Sequence, residues 1–326
     1  MSRGERSTVR TVLGEVPLAA LGRTDYHEHL FQVSPLLPGD ELDDETSSGA
    51  EAASLARSGF TTMVDATPIG LGRRPEAVAR ISAATGLAVV ATTGAHREPH
   101  DGTGHWLLDL SEEALADRFC RDVTVGLPTC DGPGPADAAS GPTGRPVRAA
   151  VVKAGVGYWS ISRFERRVLA AASLCHHRTG VAVMVHLEHG SAAFEVLDVL
   201  DGHAVPASTV VLAHADRNPD PGLHAELAAA GAYLGYDGFA RTQRWPDAVI
   251  IDCLRAAAER GAGERMLLGG DVARRSRYRS YGGMPGLAYL GERVLPRLEQ
   301  ETSAGLVHQM LVTNPAHWLS GTGAAP

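Results

Sequence analysis

Eight short runs rich in apolar and β-branched residues recur along the chain, each followed by an amphipathic stretch rich in Ala, Glu and Arg. Strands separated by helical crossovers pair in parallel, so this order specifies an α/β fold. Strands are expected at 24–30, 61–66, 87–93, 147–153, 181–187, 209–214, 231–236 and 266–271. Helices are expected at 49–58, 75–85, 111–124, 162–180, 191–200, 221–230, 246–261 and 285–300, with a closing helix at 302–312 and a turn at 315–319. The resulting expectation is a (β/α)8 TIM barrel. With 326 residues, the chain exceeds the roughly 250 that such a barrel needs. Segment 126–146 is dense in Gly and Pro, interrupts the third crossover, and reads as a surface excursion. The motifs on its two sides belong to one site, so residues 1–326 are taken as a single domain.

The chemistry-bearing residues fall at the ends of these strands. His27 and His29 form H-x-H in the first strand, where residues i and i+2 face the same way and can bind one cation. Lys153 ends the fourth strand, His186 the fifth, His214 the sixth and Asp271 the eighth. In this fold the C-terminal strand ends build the active-site face. A site of two metals accounts for the six together; the bland alternative is buried, satisfied histidines beside a Lys153–Asp271 salt bridge. Lys153 is the informative member. An ammonium has three donors and no acceptor and cannot ligate a cation. Burial and nearby positive charge favour the neutral amine. A neutral amine adds carbon dioxide to give an anionic carbamate whose two oxygens can bridge two metals.

From TVLGEVPLAALGRTDYHEHL (11–30) to TNPAHWL (313–319), the chain resembles the phosphotriesterase-like branch of the amidohydrolase superfamily. The resemblance also runs through MVDATPIGLGR, VVKAGVGY, RFERRVLAAASLCHHRTGVAVMVHLEHG, AHADRNPD, GYDGF and LLGGDVARRS. It implies a binuclear centre in which His27, His29 and Asp271 bind the more buried metal and His186 and His214 the more exposed one. Carboxylated Lys153 and a hydroxide would bridge the pair. Zinc is the default for such donors, with manganese, cobalt and iron as alternatives. The bridging hydroxide would attack the substrate, the exposed metal would polarise its oxygen, and Asp271 would carry the proton to the leaving group.

Metal ligands do not separate the substrates of such a family; the loops do. The loop after the eighth strand, DVARRSRYRSYGGMPG, holds Arg274, Arg275, Arg277 and Arg279 with Tyr278 and Tyr281. Arginines beside a metal site suit a phosphate or carboxylate. Arg244, Arg275 and Tyr278 look like the phosphate-holding residues of phosphosugar-lactonase relatives, and Tyr26 lies just before the metal histidines. Many relatives carry G-F-Y after the third strand, whereas this chain has Gly94-Ala95-His96; His96 and Arg217 are candidate substrate contacts, as are the loop residues His100 and His105. The loop has no long apolar stretch to hold an acyl tail. The expected reaction is therefore the opening of a sugar or phosphosugar lactone. The alternatives are a phosphotriesterase or organophosphate hydrolase, an amidase acting on an N-acylated small acid, and, from another class, a non-catalytic binding protein.

A net charge of −8 argues against a general nucleic-acid binder and leaves room for a local basic pocket. No run reaches the roughly 18 apolar residues of a membrane span, and the N-terminus lacks the apolar core of a signal peptide. Cys120, Cys130, Cys175 and Cys253 lie far apart without CxxC and read as reduced thiols. These features suggest a cytoplasmic protein with a small anionic substrate, and the family suggests a homodimer.

Overall fold

The computed structural model describes residues 7–241 and 245–321. An antiparallel hairpin, β1 (Thr8–Thr11) and β2 (Gly14–Pro17), opens the chain. Eight parallel strands follow: β3 (Thr24–Glu28), β4 (Thr62–Asp65), β5 (Ala88–Gly94), β6 (Ala149–Val156), β7 (Ala182–Leu187), β8 (Val210–Ala213), β9 (Tyr233–Tyr236) and β10 (Met266–Leu268). They lie side by side in sequence order. Crossovers α1 (Glu45–Arg57), α2 (Pro75–Thr85), α3 (Glu112–Thr124), α4 (Arg163–Thr179), α5 (Ala193–Gly202), α6 (Pro221–Ala229) and α7 (Asp247–Glu259) alternate with them. Then come α8 (Leu295–Glu301), α9 (Ala304–His308) and α10 (Asn314–Leu319).

The barrel strands read as unbroken apolar runs because both faces are covered, by helices outside and packed side chains inside. All eight residues of β6, AAVVKAGV, are buried, its lysine included. Helix α4 shows how the sequence sets element ends. Ser162 and Glu165 form a reciprocal capping box, and Gly180 ends the helix in the left-handed region at φ 70°.

The seam between β10 and β3 is drawn shut by Asp271 N–H donating to His27 C=O at 2.9 Å. Two buried carboxylates reinforce it. Asp25 accepts from the backbone N–H groups of His27 and Gly270, and Glu28 from that of Val272. Inside the barrel, Val64, Val90, Val151, Met184, Val211 and Leu267 pack with Val9 of the hairpin and Trp318 of α10. The N-terminal end is thereby plugged, leaving the C-terminal mouth for chemistry.

Several expectations are corrected. Lys153 does not end its strand: β6 continues to Val156, because its pairing with β7 runs on to Val156–Leu187. The first strand stops at Glu28, before His29, and the last at Leu268, three residues before Asp271. Residues 315–319 lie in helix α10 rather than a turn, with Trp318 donating to Val183 C=O. Segment 126–146 is an excursion, carrying only isolated bridges. It is anchored by Asp131, which accepts from Gly70 N–H and from an Arg73 guanidinium shared with Asp122. Among the described residues, no helix is long and apolar enough to cross a membrane.

Candidate metal centre

His27, His29, Lys153, His186, His214 and Asp271 meet at the C-terminal mouth and are all buried. Oδ1 of Asp271 lies 3.7 Å from His27 Nε2 and 3.6 Å from His29 Nε2. Lys153 Nζ stands 3.2 Å from the same His27 nitrogen. On the other side, His214 Nε2 and His186 Nδ1 approach to 2.8 Å. His214 and Asp271 both hold positive φ, at 67° and 42°, and nearby His189 and Ala273 do so at 58° and 43°. Strained non-glycine backbone gathered at one mouth marks a site that the surrounding fold over-determines.

Each metal-type imidazole is held from behind by its second nitrogen. His27 Nδ1 and His214 Nδ1 face the two oxygens of Asp237, at 3.1 and 2.6 Å. His29 Nδ1 faces Thr67 Oγ1 at 2.8 Å, and His186 Nε2 faces Glu188 Oε2 at 3.0 Å. Such outer partners fix the tautomer and aim the other nitrogen at a metal. Burial is the first cause lowering all four histidine pKa values, which favours the neutral, ligating form of each ring. Burial also lowers the Lys153 ammonium to about 8. For Asp271, burial works upward, but Arg241, His27, His214 and Arg217 outweigh it and hold the carboxyl well below its usual range.

A Lys153–Asp271 salt bridge would have explained both residues without a metal. No such pair forms among the described residues. Lys153 donates to Ala66 C=O at 2.9 Å, and Asp271 Oδ2 takes Arg217 at 2.8 Å together with Arg241. The donor set therefore fits divalent ions: His27, His29 and Asp271 converge as one buried group. His27, His214 and Asp237 also converge, yet there Asp237 faces the rear nitrogens of both rings, which makes it a support.

The surrounding cavity, of about 300 Å³, is lined by His96, His100, Glu188, Arg97, Arg217, Arg241 and Arg274; its apolar lining is Leu36, Leu37 and Ala273. A neighbouring chamber of about 520 Å³ shares Glu188, Arg217, Arg241 and Arg274 with it. Of the expected substrate contacts, His96 and Arg217 face the cavity. Tyr26 does not: its fully buried phenol donates to Asp237 beneath the metal-type residues. Tyr278 is likewise wholly buried, donating to His29 C=O. Arg275 is exposed and lies over the Tyr281 ring at 5.3 Å, outside both chambers, while its neighbour Arg274 lines them. Arg244 falls outside the described residues. His105 serves its own turn, accepting from Leu107 N–H.

Sequence reasoning passed over Asp237, Arg241 and Glu188. The signal for Asp237 was in GYDGF, where it directly follows β9, at the same strand-end face from which Asp271 comes three residues after β10. Arg241 and Glu188 are loop residues whose partners are remote in sequence or set by a tight turn, so spacing carries no sign of them.

The model of the Phosphotriesterase family matches residues 7–319. A phospho-furanose lactonase of Mycoplasmopsis synoviae is 28% identical over 97% of this chain and 92% of its own length. The crystal structure of a lactonase from Listeria monocytogenes superposes with a TM-score of 0.86 at 29% identity, covering 96% of this chain and 99% of that one. A phosphotriesterase homology protein from Escherichia coli, crystallised with phosphate in its active site, superposes with a TM-score of 0.81 at 26% identity, covering 92% of this chain and 99% of that one. On this agreement along almost its entire length, the chain belongs to the phosphotriesterase family and is a metal-dependent hydrolase.

Proposed function

We propose that the protein opens the ring of a sugar lactone bearing a phosphate or similar anionic group. One observation carries the reading: Arg97, Arg217, Arg241 and Arg274 line a cavity with few apolar walls, immediately above the candidate metal ligands. Guanidinium groups match the geometry of phosphate and carboxylate oxygens. A neutral, lipophilic triester would find little apolar surface there. The phospho-furanose lactonase relative and the phosphate in the Escherichia coli homologue point the same way.

His27, His29 and Asp271 would hold one divalent ion and His186 and His214 the other, with Lys153 contributing as a carbamate. Zinc suits these donors, and manganese, cobalt or iron are the alternatives. When bound, the metals supply Lewis acidity and a nucleophile from water at neutral pH. The protein's own groups do the rest. The cavity arginines hold the anionic arm and so fix the ring carbonyl over the centre. Arg217 and Arg241 fix the Asp271 carboxylate by its Oδ2, leaving Oδ1 turned towards His27 and His29. Asp271 accepts the proton of the attacking water and returns it to the departing ring oxygen. Water adds across the acyl–oxygen bond, and the product is the open hydroxy acid.

The test is a panel of matched lactones with and without phosphate, beside a paraoxon-like triester, on metal-reconstituted enzyme. Phosphorylated lactones should show the highest kcat/KM. A triester turned over faster than every lactone would replace this reading with a phosphotriesterase.

A further inference from the structure

Three of the four metal-type histidines turn Nε2 to the centre, and one does not. His27 and His214 spend Nδ1 on Asp237, and His29 spends Nδ1 on Thr67. His186 is reversed: its Nδ1 faces His214 Nε2, and its Nε2 faces Glu188. A neutral imidazole carries one proton, and a carboxylate only accepts. Glu188 therefore keeps the proton on His186 Nε2, which leaves the Nδ1 lone pair pointing inward. A histidine at this place without that partner is free to protonate Nδ1 and lose its ligating atom.

Glu188 is itself held in place. Its backbone C=O accepts from Ser191 Oγ at 2.7 Å and from Ser191 N–H at 3.2 Å. The next residue, His189, takes a left-handed φ of 58°, which turns the chain sharply after β7. Arg97 Nε lies 3.1 Å from the same Oε2 that faces His186, and His189 Nε2 lies 3.3 Å from Oε1. The carboxylate thus sits between one candidate ligand and one cationic cavity wall.

We propose that Glu188 is a positioning residue that selects the ligating tautomer of His186 and so controls retention of the ion held by His186 and His214, independently of the ion held by His27, His29 and Asp271. The proposal rests on the metal-centre reading and on nothing about the substrate. Its test uses no lactone, so failure of the lactonase reading leaves it standing or falling by itself.

Two measurements decide it. Long-range 1H–15N spectra of the zinc-loaded wild-type protein should show His186 protonated at Nε2 with Nδ1 bound to metal; a proton on Nδ1, or metal on Nε2, overturns the proposal. In Glu188→Gln the amide can turn its NH2 to His186 Nε2 and drive the proton to Nδ1. Zinc-loaded Glu188→Gln, titrated with a chelator, should release one of two equivalents at roughly 10–100-fold lower chelator strength than wild type, the usual cost of losing an outer partner. The second equivalent should leave as in wild type. Release of both equivalents at wild-type strength, or loss of both together, refutes the assignment. If the variant does not fold, the wild-type spectrum decides alone.

Discussion

Oδ1 of Asp237 lies 2.6 Å from His214 Nδ1, and the other oxygen of that carboxylate lies 3.1 Å from His27 Nδ1. One buried side chain thus braces a candidate ligand of each metal. Burial alone would raise its pKa; the hydrogen bond from His27, with the Arg217 charge and the Tyr26 hydroxyl adding, reverses this and brings it to about 2. It stays ionised across any working pH. Asp237→Ala should therefore weaken both ions together, by roughly 10–100-fold each. Metal content measured against chelator strength checks this. Retention of one ion at wild-type strength would mean that the carboxylate does not brace both sites.

Lys153 is fully buried and its amine meets a carbonyl and an imidazole, with no carboxylate ion-paired to it among the described residues. Lys153→Ala should lose most bound metal and lower kcat/KM by several hundredfold or more, since a two-ion site stabilises developing charge by several kcal/mol. Added acetate or formate should partly restore both by supplying the missing oxygens. Unchanged metal content in the variant would remove Lys153 from the bridge.

Carbon dioxide adds only to the neutral amine. Burial lowers the Lys153 pKa from 10.5 to about 8, so the ammonium dominates below that value and the amine above it. At fixed dissolved carbon dioxide, metal reconstitution should speed up as pH rises from 6.5 through 8 and level off beyond. The difference between runs with and without carbon dioxide isolates this step. A carbon dioxide-dependent rate that falls over this range would contradict a carbamate on Lys153.

The barrel was legible because its strands and helices announce themselves by local period, and H-x-H was legible because a strand sets i and i+2 on one face. His186, His214 and Asp271 were expected at one mouth from their places near strand ends, although β8 stops at Ala213 and β10 at Leu268. The loops were not legible in the same way. Arg274 and Arg275 are adjacent and chemically identical, and only the turn at 275–277 decides that Arg274 enters the cavity while Arg275 settles on Tyr281. Tyr26 stands beside His27 in sequence, yet its ring goes to the barrel interior with Trp318. Burial depth within a layer has no signature in spacing.

That distinction between neighbours is itself testable. Arg274→Ala should raise KM for a phosphorylated lactone by roughly 10–100-fold, the cost of about 1.5–3 kcal/mol for a charged hydrogen bond. The unphosphorylated analogue should change far less. Arg275→Ala should leave both substrates nearly unchanged, because the residue is exposed and its guanidinium lies over Tyr281, outside both chambers. The reverse ranking of the two variants would show that substrate binding reorganises this loop.

Tyr278 separates a structural role from a binding role. Its hydroxyl donates to His29 C=O from a site with no solvent exposure. Tyr278→Phe keeps the ring packing and leaves that buried carbonyl short of a donor, which costs about 1–3 kcal/mol. For a chain of 326 residues each kcal/mol lowers Tm by about 1.5 °C, so thermal unfolding should shift by about 1.5–4.5 °C. The ratio of kcat/KM for phosphorylated over plain lactones should stay as in wild type, because the phenol touches no ligand surface. A variant with wild-type Tm and a collapsed phosphate preference would instead place the hydroxyl in contact with substrate.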